Sequence, residues 1–320
     1  MPERPPLAPP AAPPGASPRW GRLHHPAGSL AAAGRSVSLT AEAAGWTSCG
    51  IEVVELAPGE RQRLVLDGVE AAILPLSAED VSVTIGGEAM HLDGRASVFA
   101  RVTDFAYAPL GATVTLSSPG GGAVAVPTAR CSTRLVPRYG PADGVAIEIR
   151  GAGPATRQVT NFMSPESWPH ADKLMCVELL TPDGNWSSYP PHRHDDSPEC
   201  PVNNEEIYYF RIGTAGTTRY STDGFGLHRT YTPPNPDGTV DIDEHVTVRD
   251  GDVFCIPRGY HGPCVAAPGY TMYYLNVLAG PGGERSMAFC DDPTHHWVRD
   301  AWAGMAADPR CPMTTKDGVV

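Results

Sequence analysis

Turn residues divide this chain into pieces too short for most helices. Glycine and proline each number 34 in 320 residues. Proline removes a backbone donor and fixes φ, and glycine opens the left-handed region, so both punctuate secondary structure. Helical periodicity is scarce between them, whereas short runs of branched and aromatic residues recur. Val81-Ser82-Val83-Thr84-Ile85 alternates strictly and stops at Gly86-Gly87, a hairpin signal. Residues 51–56 partly alternate and stop at Ala57-Pro58-Gly59, and residues 64–66, 71–76, 97–99, 105–107 and 114–116 continue the series. Strands at this spacing predict an all-β chain built from sandwiches or small barrels. With 41% hydrophobic residues the chain can bury a core.

The net charge of −12 argues against a nucleic-acid partner. No apolar run reaches the length of a membrane span, and the N-terminus lacks the basic start and apolar core of a signal peptide. The eight cysteines are scattered without a C-x-x-C pair, which predicts reduced thiols and a cytoplasmic protein. Residues 1–18 are rich in proline and alanine and are expected to be a disordered tail. His24 and His25 read as a surface pair.

The chemistry concentrates in three stretches. In Tyr189-Pro190-Pro191-His192-Arg193-His194-Asp195-Asp196, strand alternation points His192 and His194 one way and Arg193 the other. In Glu205-Glu206-Ile207-Tyr208-Tyr209-Phe210, Glu206 shares a face with Tyr208 and Phe210, and a carboxylate at the head of an apolar face needs a partner. The third stretch, residues 251–261, is a turn, a short strand, a Pro/Gly turn and then His261. Together they supply His192, His194, Glu206 and His261. A set of three histidines and a glutamate with open positions suits a divalent transition metal that must also hold a substrate.

These stretches resemble the two motifs of the cupin superfamily. Gly251, Pro257, Gly259 and His261 match the second motif, with one residue, Tyr260, between glycine and histidine where two are usual. In the first motif an insertion from Asp195 to Glu205 separates His-x-His from its glutamate. Either Glu205 or Glu206 could follow it, and Glu206 is chosen because it directly precedes the strand. Pro109-Leu110-Gly111 echoes Pro257-Arg258-Gly259, with Thr113 in the place of His261, and the first half has no His-x-His. The expected architecture is therefore a bicupin of two cupin-like β-barrels or jelly rolls. Residues 19–150 would form an N-terminal barrel without metal, contributing packing and an oligomer surface, and residues 151–320 the metal-binding barrel with the catalytic site.

A narrower resemblance runs over nearly all of the chain after the tail. Residues 155–159, the run Gly184-Asn185-Trp186-Ser187-Ser188-Tyr189-Pro190-Pro191-His192, and residues 206–210, 257–261 and 273–277 are similar to the 5-deoxy-glucuronate isomerase family of myo-inositol catabolism. The 5-keto-4-deoxyuronate isomerases are its sister family. The resemblance implies a small sugar-acid substrate, a homo-oligomer, and an aldose–ketose isomerisation that yields 5-dehydro-2-deoxy-D-gluconate. It also implies one divalent ion, with zinc first and manganese or iron as alternatives. Such an ion binds the C1 carbonyl and C2 hydroxyl oxygens and stabilises an enediolate. Lys173, Tyr208, Tyr260 and Tyr274 are the candidates for general base. Arg157, ahead of Arg258, is the candidate for the substrate carboxylate, because arginine matches a carboxylate bidentately. Asn276 is a candidate substrate contact. An iron-dependent cupin dioxygenase, or a non-enzymatic sugar- or metal-binding cupin, are the competing classes.

Overall fold

The computed structural model describes residues 21–283 and 285–320. The Pro/Ala-rich tail lies outside the described residues. The chain is all-β. Among the described residues the α-helix amounts to one turn, Val298–Ala301, and no helix is long and apolar enough to cross a membrane.

Two antiparallel sheets make up the N-terminal half. The outer one has four strands, in the order Arg61–Val65, Thr113–Ser117, Glu79–Ile85, Glu88–Gly94. The inner one has six, including Val69–Pro75, Gly122–Arg130 and Cys49–Leu56 at its centre. The C-terminal half repeats the plan. Its inner sheet of seven strands runs His24–His25, Val253–Ile256, Glu205–Thr214, Tyr270–Ala279, Met175–Thr181, Arg157–Met163, Ala146–Arg150. Its outer sheet places Gly226–Tyr231, Tyr260–Ala266 and His192–Arg193 side by side.

The inner sheets pack on each other, so each is buried on both faces. Alternation divides their side chains between two cores. Ile207, Tyr209, Val253, Cys255, Tyr273, Leu275 and Val277 meet Ile51, Val53, Leu74 and Ala125 of the other half. Tyr208, Phe210, Phe254, Ile256, Met272 and Tyr274 face the interior of the C-terminal sandwich. Val54, Ile73 and Val124 meet Val81, Val83 and Leu116 inside the N-terminal one. Two-sided burial is why these inner strands read as near-continuous apolar runs.

Strand membership crosses the midpoint of the chain. His24–His25 and Ala146–Arg150 both hydrogen-bond into the second half's inner sheet. His24 is also anchored there, its Nε2 lying 2.8 Å from Asp252.

Three local expectations are corrected. Residues 97–99 form a turn, with Ala100 N–H donating to Ser97 O and Phe99 N–H to Ser97 Oγ. The segment from Phe210 to about Asp243, with its run Pro233-Pro234-Asn235-Pro236, reads as a loop in the sequence but contains Gly226–Tyr231, a strand within the outer sheet. It escapes the usual pattern because its buried positions are Gly226, His228 and Thr230 while Leu227 is exposed. Finally, Cys200 and Cys290 are joined in a disulfide, against the expectation of reduced thiols. The strand Cys290–Asp291 lies beside His192–Arg193, which brings Cys290 back to the loop that carries Cys200.

The two halves are also clamped by charge. Arg95, 2% exposed, pairs with Glu178 of the second inner sheet and donates to the carbonyls of Pro75 and Arg101. Tyr273 donates to the same carboxylate at 2.7 Å. Removing one member of a buried pair leaves an uncompensated charge, at a cost of about 3–5 kcal/mol. Arg95→Met should therefore lose about that much stability, read as a lower urea midpoint. The double variant Arg95→Met/Glu178→Gln should recover part of it.

Candidate metal centre and its cavity

The histidine strand and the second-motif strand are neighbours in register, His192 opposite His261. Glu206 reaches the same point from the facing inner sheet. Two glycines make the approach possible. Gly259 has φ +85, and a Cβ there would lie 2.6 Å from the Tyr231 carbonyl oxygen. Its N–H donates to Asp195 Oδ2 at 2.8 Å, which ties the second motif to the first. Gly262 has φ +97 and presses on the Ser188 backbone, where a Cβ would sit 1.7 Å from the carbonyl oxygen.

Among the described residues, His194, Glu206 and His261 hold ligand atoms all within 4.8 Å of one another. Glu206 Oε2 is 3.0 Å from His194 Nε2 and 3.1 Å from His261 Nε2. His192 stands beside this trio, its ring centroid 4.5 Å from that of His261. His194 Nδ1 is 3.1 Å from the Asn204 carbonyl oxygen, and His192 Nδ1 is 3.2 Å from that of Pro190. A carbonyl only accepts, so each Nδ1 carries a proton and Nε2 is the ring atom left to meet the carboxylate or an ion.

The electrostatics of the trio point to a cation. Burial alone would raise the Glu206 pKa, but the His194 and His261 imidazoles hold it down at about 2, so the carboxylate stays charged. Burial and the neighbouring imidazoles of His261 and His194 push His192 well below its ordinary value, which keeps it neutral. A lone pair on His194 Nε2 facing a carboxylate oxygen at 3.0 Å needs a proton or a metal ion between them. Both ring nitrogens of His261 are buried and make no aligned hydrogen bond. Buried imidazole nitrogens packed around a charged carboxylate are the donor set a divalent cation uses, so these residues fit a metal.

The trio opens into a cavity of about 530 Å³ whose wall includes Arg157, Ser188, His192, His194, Glu206, Tyr208, Asn276 and Phe289. Arg157 is 4% exposed; its Nη1 donates to the Ala155 carbonyl at 3.1 Å and its Nε has no partner. Two further arginines at the cavity are neutralised. Arg150 forks onto Glu148 and Arg299 onto Asp291. Among the described residues no carboxylate lies within salt-bridge distance of Arg157. Burial lowers its pKa to about 10, still charged at neutral pH. Asn276 Oδ1 is likewise buried without a partner.

Four sequence candidates fall outside this constellation. Lys173 lines a different cavity and donates through Nζ to the carbonyls of Gly282 and Gly283. Tyr260 alternates with His261 on its strand, so it points away, under the Arg193 guanidinium 4.6 Å from its ring centroid. Arg258 lies in the turn facing Asp241 at 3.9 Å and does not line the cavity. Tyr274 is fully buried behind the wall, its hydroxyl bonded to Ser187 and Ser188. Of the four proposed bases, Tyr208 alone lines the cavity. Glu205, the alternative ligand, instead accepts from the backbone N–H groups of Thr47 and Ser48.

Sequence reasoning missed Ser188, Glu148, Arg150, Arg299 and the cover formed by Met287, Ala288 and Phe289. The cover is pinned by Arg285, whose guanidinium donates to the carbonyls of Leu174, Trp168 and Met163. Phe289 lies 4.9 Å from the His192 ring. The only sequence signal for these groups was the long Trp-Ser-Ser-Tyr run before His192; the rest come from distant segments.

Comparisons with known proteins identify the family and the fold. Residues 23–298 match the KduI/IolB family. The 5-deoxy-glucuronate isomerase of Geobacillus kaustophilus is 38% identical over 283 residues, 88% of this chain and 96% of the relative. That of Geobacillus thermodenitrificans is 36% identical over 271 residues, 84% and 92% of the two chains. The crystal structure of an IolB-like protein from Salmonella typhimurium LT2 superposes with a TM-score of 0.76 at 30% identity, covering 87% of this chain and all of the other. An oxalate decarboxylase of Lactobacillus farciminis, 10% identical, shares the fold with a TM-score of 0.60 over 88% of this chain and 90% of its own. The likeness fits the bicupin architecture.

The tight trio and the flanking His192 predict a graded metal loss. Elemental analysis should find Glu206→Ala and His261→Ala nearly devoid of metal, and His192→Ala partly loaded. Stoichiometric metal in both of the first two would remove the site.

Proposed function

The chain belongs to the KduI/IolB family, and on that premise we propose that it is an aldose–ketose isomerase interconverting 5-deoxy-D-glucuronate and 5-dehydro-2-deoxy-D-gluconate. The observation that carries this reading is a single cavity that joins a cation-ready His/Glu set to one unneutralised buried arginine. A sugar acid needs both: a Lewis acid at its carbonyl end and a cation at its carboxylate end.

The reaction breaks the C2–H and O2–H bonds and forms C1–H and O1–H, with no net oxidation. His192, His194, Glu206 and His261 would hold the ion. A divalent ion bound there polarises the substrate carbonyl and acidifies the adjacent C–H. The remaining roles fall to the chain's own groups. Arg157 binds the carboxylate through its fork, with no carboxylate among the described residues within salt-bridge distance. Asn276 Oδ1 accepts from a substrate hydroxyl, which satisfies an atom otherwise costly to bury. Phe289 and Met287 exclude water from above. Tyr208 holds its proton at the cavity wall, because burial raises its pKa well above the ordinary phenol range. It therefore acts as a hydroxyl and not as a phenolate base. The reading extends to zinc as the resident ion, to inositol catabolism as the pathway and to the cytoplasm as the compartment; the relatives' activity and the His/Glu donors support it.

Incubation of metal-loaded protein with 5-deoxy-D-glucuronate should give the ketose by NMR without oxygen uptake. Oxygen consumption would indicate a dioxygenase instead. In heavy water the ketose should gain deuterium at C1, as proton transfer through an enediolate requires; complete retention of protium over many turnovers would favour a direct hydride shift. Arg157→Met should raise KM at least tenfold, about 1.4 kcal/mol of binding, with metal content unchanged.

A further inference from the structure

Ser188 is the non-glycine residue beside the site that holds a left-handed backbone, φ +47. Such a conformation is strained for a residue with a Cβ and persists only where the surroundings impose it. Here Gly262 packs directly on its carbonyl. The side chain is 4% exposed and lines the cavity beside His192, His194 and Glu206. Neither the metal set nor the carboxylate subsite uses it.

Its hydroxyl belongs to a chain of hydrogen bonds whose direction can be deduced from the far end. Ser187 Oγ donates to the Cys264 carbonyl at 3.3 Å, and a carbonyl only accepts. Ser187 has one proton, so its other contacts donate to it: Thr181 Oγ1 at 2.9 Å and Tyr274 Oη at 2.9 Å. Tyr274 has thereby spent its proton and must accept from Ser188, 3.0 Å away. Ser188 in turn accepts from Tyr208 at 3.1 Å. Each hydroxyl proton points away from the cavity. Ser188 and Tyr208 therefore meet a ligand with lone pairs only.

We propose that Ser188 is a specificity-determining residue that accepts a hydrogen bond from a non-reacting substrate hydroxyl, at C3 or C4, and is held in acceptor polarity by the Tyr208–Ser188–Tyr274–Ser187 chain. The inference rests on the isomerase reading for the substrate class. It assigns to this wall a preference for hydroxyl donors over hydrogen, ether or carbonyl at one carbon. A site built to accept an O–H discriminates against an analogue that lacks it, because the acceptor is then buried unpaired.

The test compares kcat/KM for 5-deoxy-D-glucuronate and for its 3-deoxy and 4-deoxy analogues. Wild-type protein should disfavour one analogue at least tenfold. Ser188→Gly keeps the left-handed backbone and removes the hydroxyl. It should lose about tenfold on the parent substrate and stay within twofold on that analogue, so the discrimination collapses. Tyr274→Phe keeps Ser188 but frees its proton to turn into the cavity. It should weaken the same discrimination and improve acceptance of the analogue methylated at that oxygen, which can only accept. Equal losses on parent and analogue in both variants, or no discrimination by wild type, overturn the inference and leave the isomerase reading intact. Failure of metal-loaded wild type to convert the parent overturns both.

Discussion

A sheet buried on both faces has no water for its polar side chains, and this constraint organises the molecule. Each polar group on the C-terminal inner sheet must find a partner or carry a penalty of about 1–3 kcal/mol. Most are satisfied within the protein. Glu178 meets Arg95 and Tyr273, and Tyr274 meets Ser187 and Ser188. Among those left incomplete, Arg157 Nε and Asn276 Oδ1 sit at one cavity, and the ring nitrogens of His261 on the outer sheet also lack aligned partners. Part of the unmet hydrogen-bonding capacity thus lies where a ligand and an ion can meet it.

The same constraint accounts for the division of the two faces. Odd-numbered positions of Glu205–Thr214 such as Ile207 and Tyr209 weld the two halves together, and even-numbered ones such as Glu206 and Tyr208 build the cavity wall. Assembly of the halves and construction of the site are alternate readings of one strand. A one-residue slip in its register would exchange them and bury Glu206 against the other half.

The strand series and the His/Glu pattern were legible because they depend on period two and on local turns. The strand Gly226–Tyr231 was not, since its inward positions are glycine, histidine and threonine and an apolar side chain faces out. Lys173 and Arg258 looked suitable by chemical type, yet their segments carry them to other surroundings. Tyr260 and Tyr274 show the two ways alternation can mislead: the first points off the strand away from its catalytic-looking neighbour, and the second points the right way but one layer too deep. Arg150 is neutralised by Glu148, two residues away on the same strand, and Arg299 by Asp291, eight residues away; what nothing local marked is that Arg157 reaches the same cavity without meeting a carboxylate among the described residues.

By itself the sequence determined an all-β chain and the bicupin plan, and offered His192, His194, Glu206 and His261 as one ligand set, since alternation, turn chemistry and motif spacing are short-range properties of the backbone. The tertiary structure decided how close those ligands come, which arginine keeps a free charge, that His24–His25 and Ala146–Arg150 complete the second half's sheet, and which way the protons run through the wall. These depend on contacts between segments tens to hundreds of residues apart, set only when two inner sheets close on each other and exclude water from everything between them.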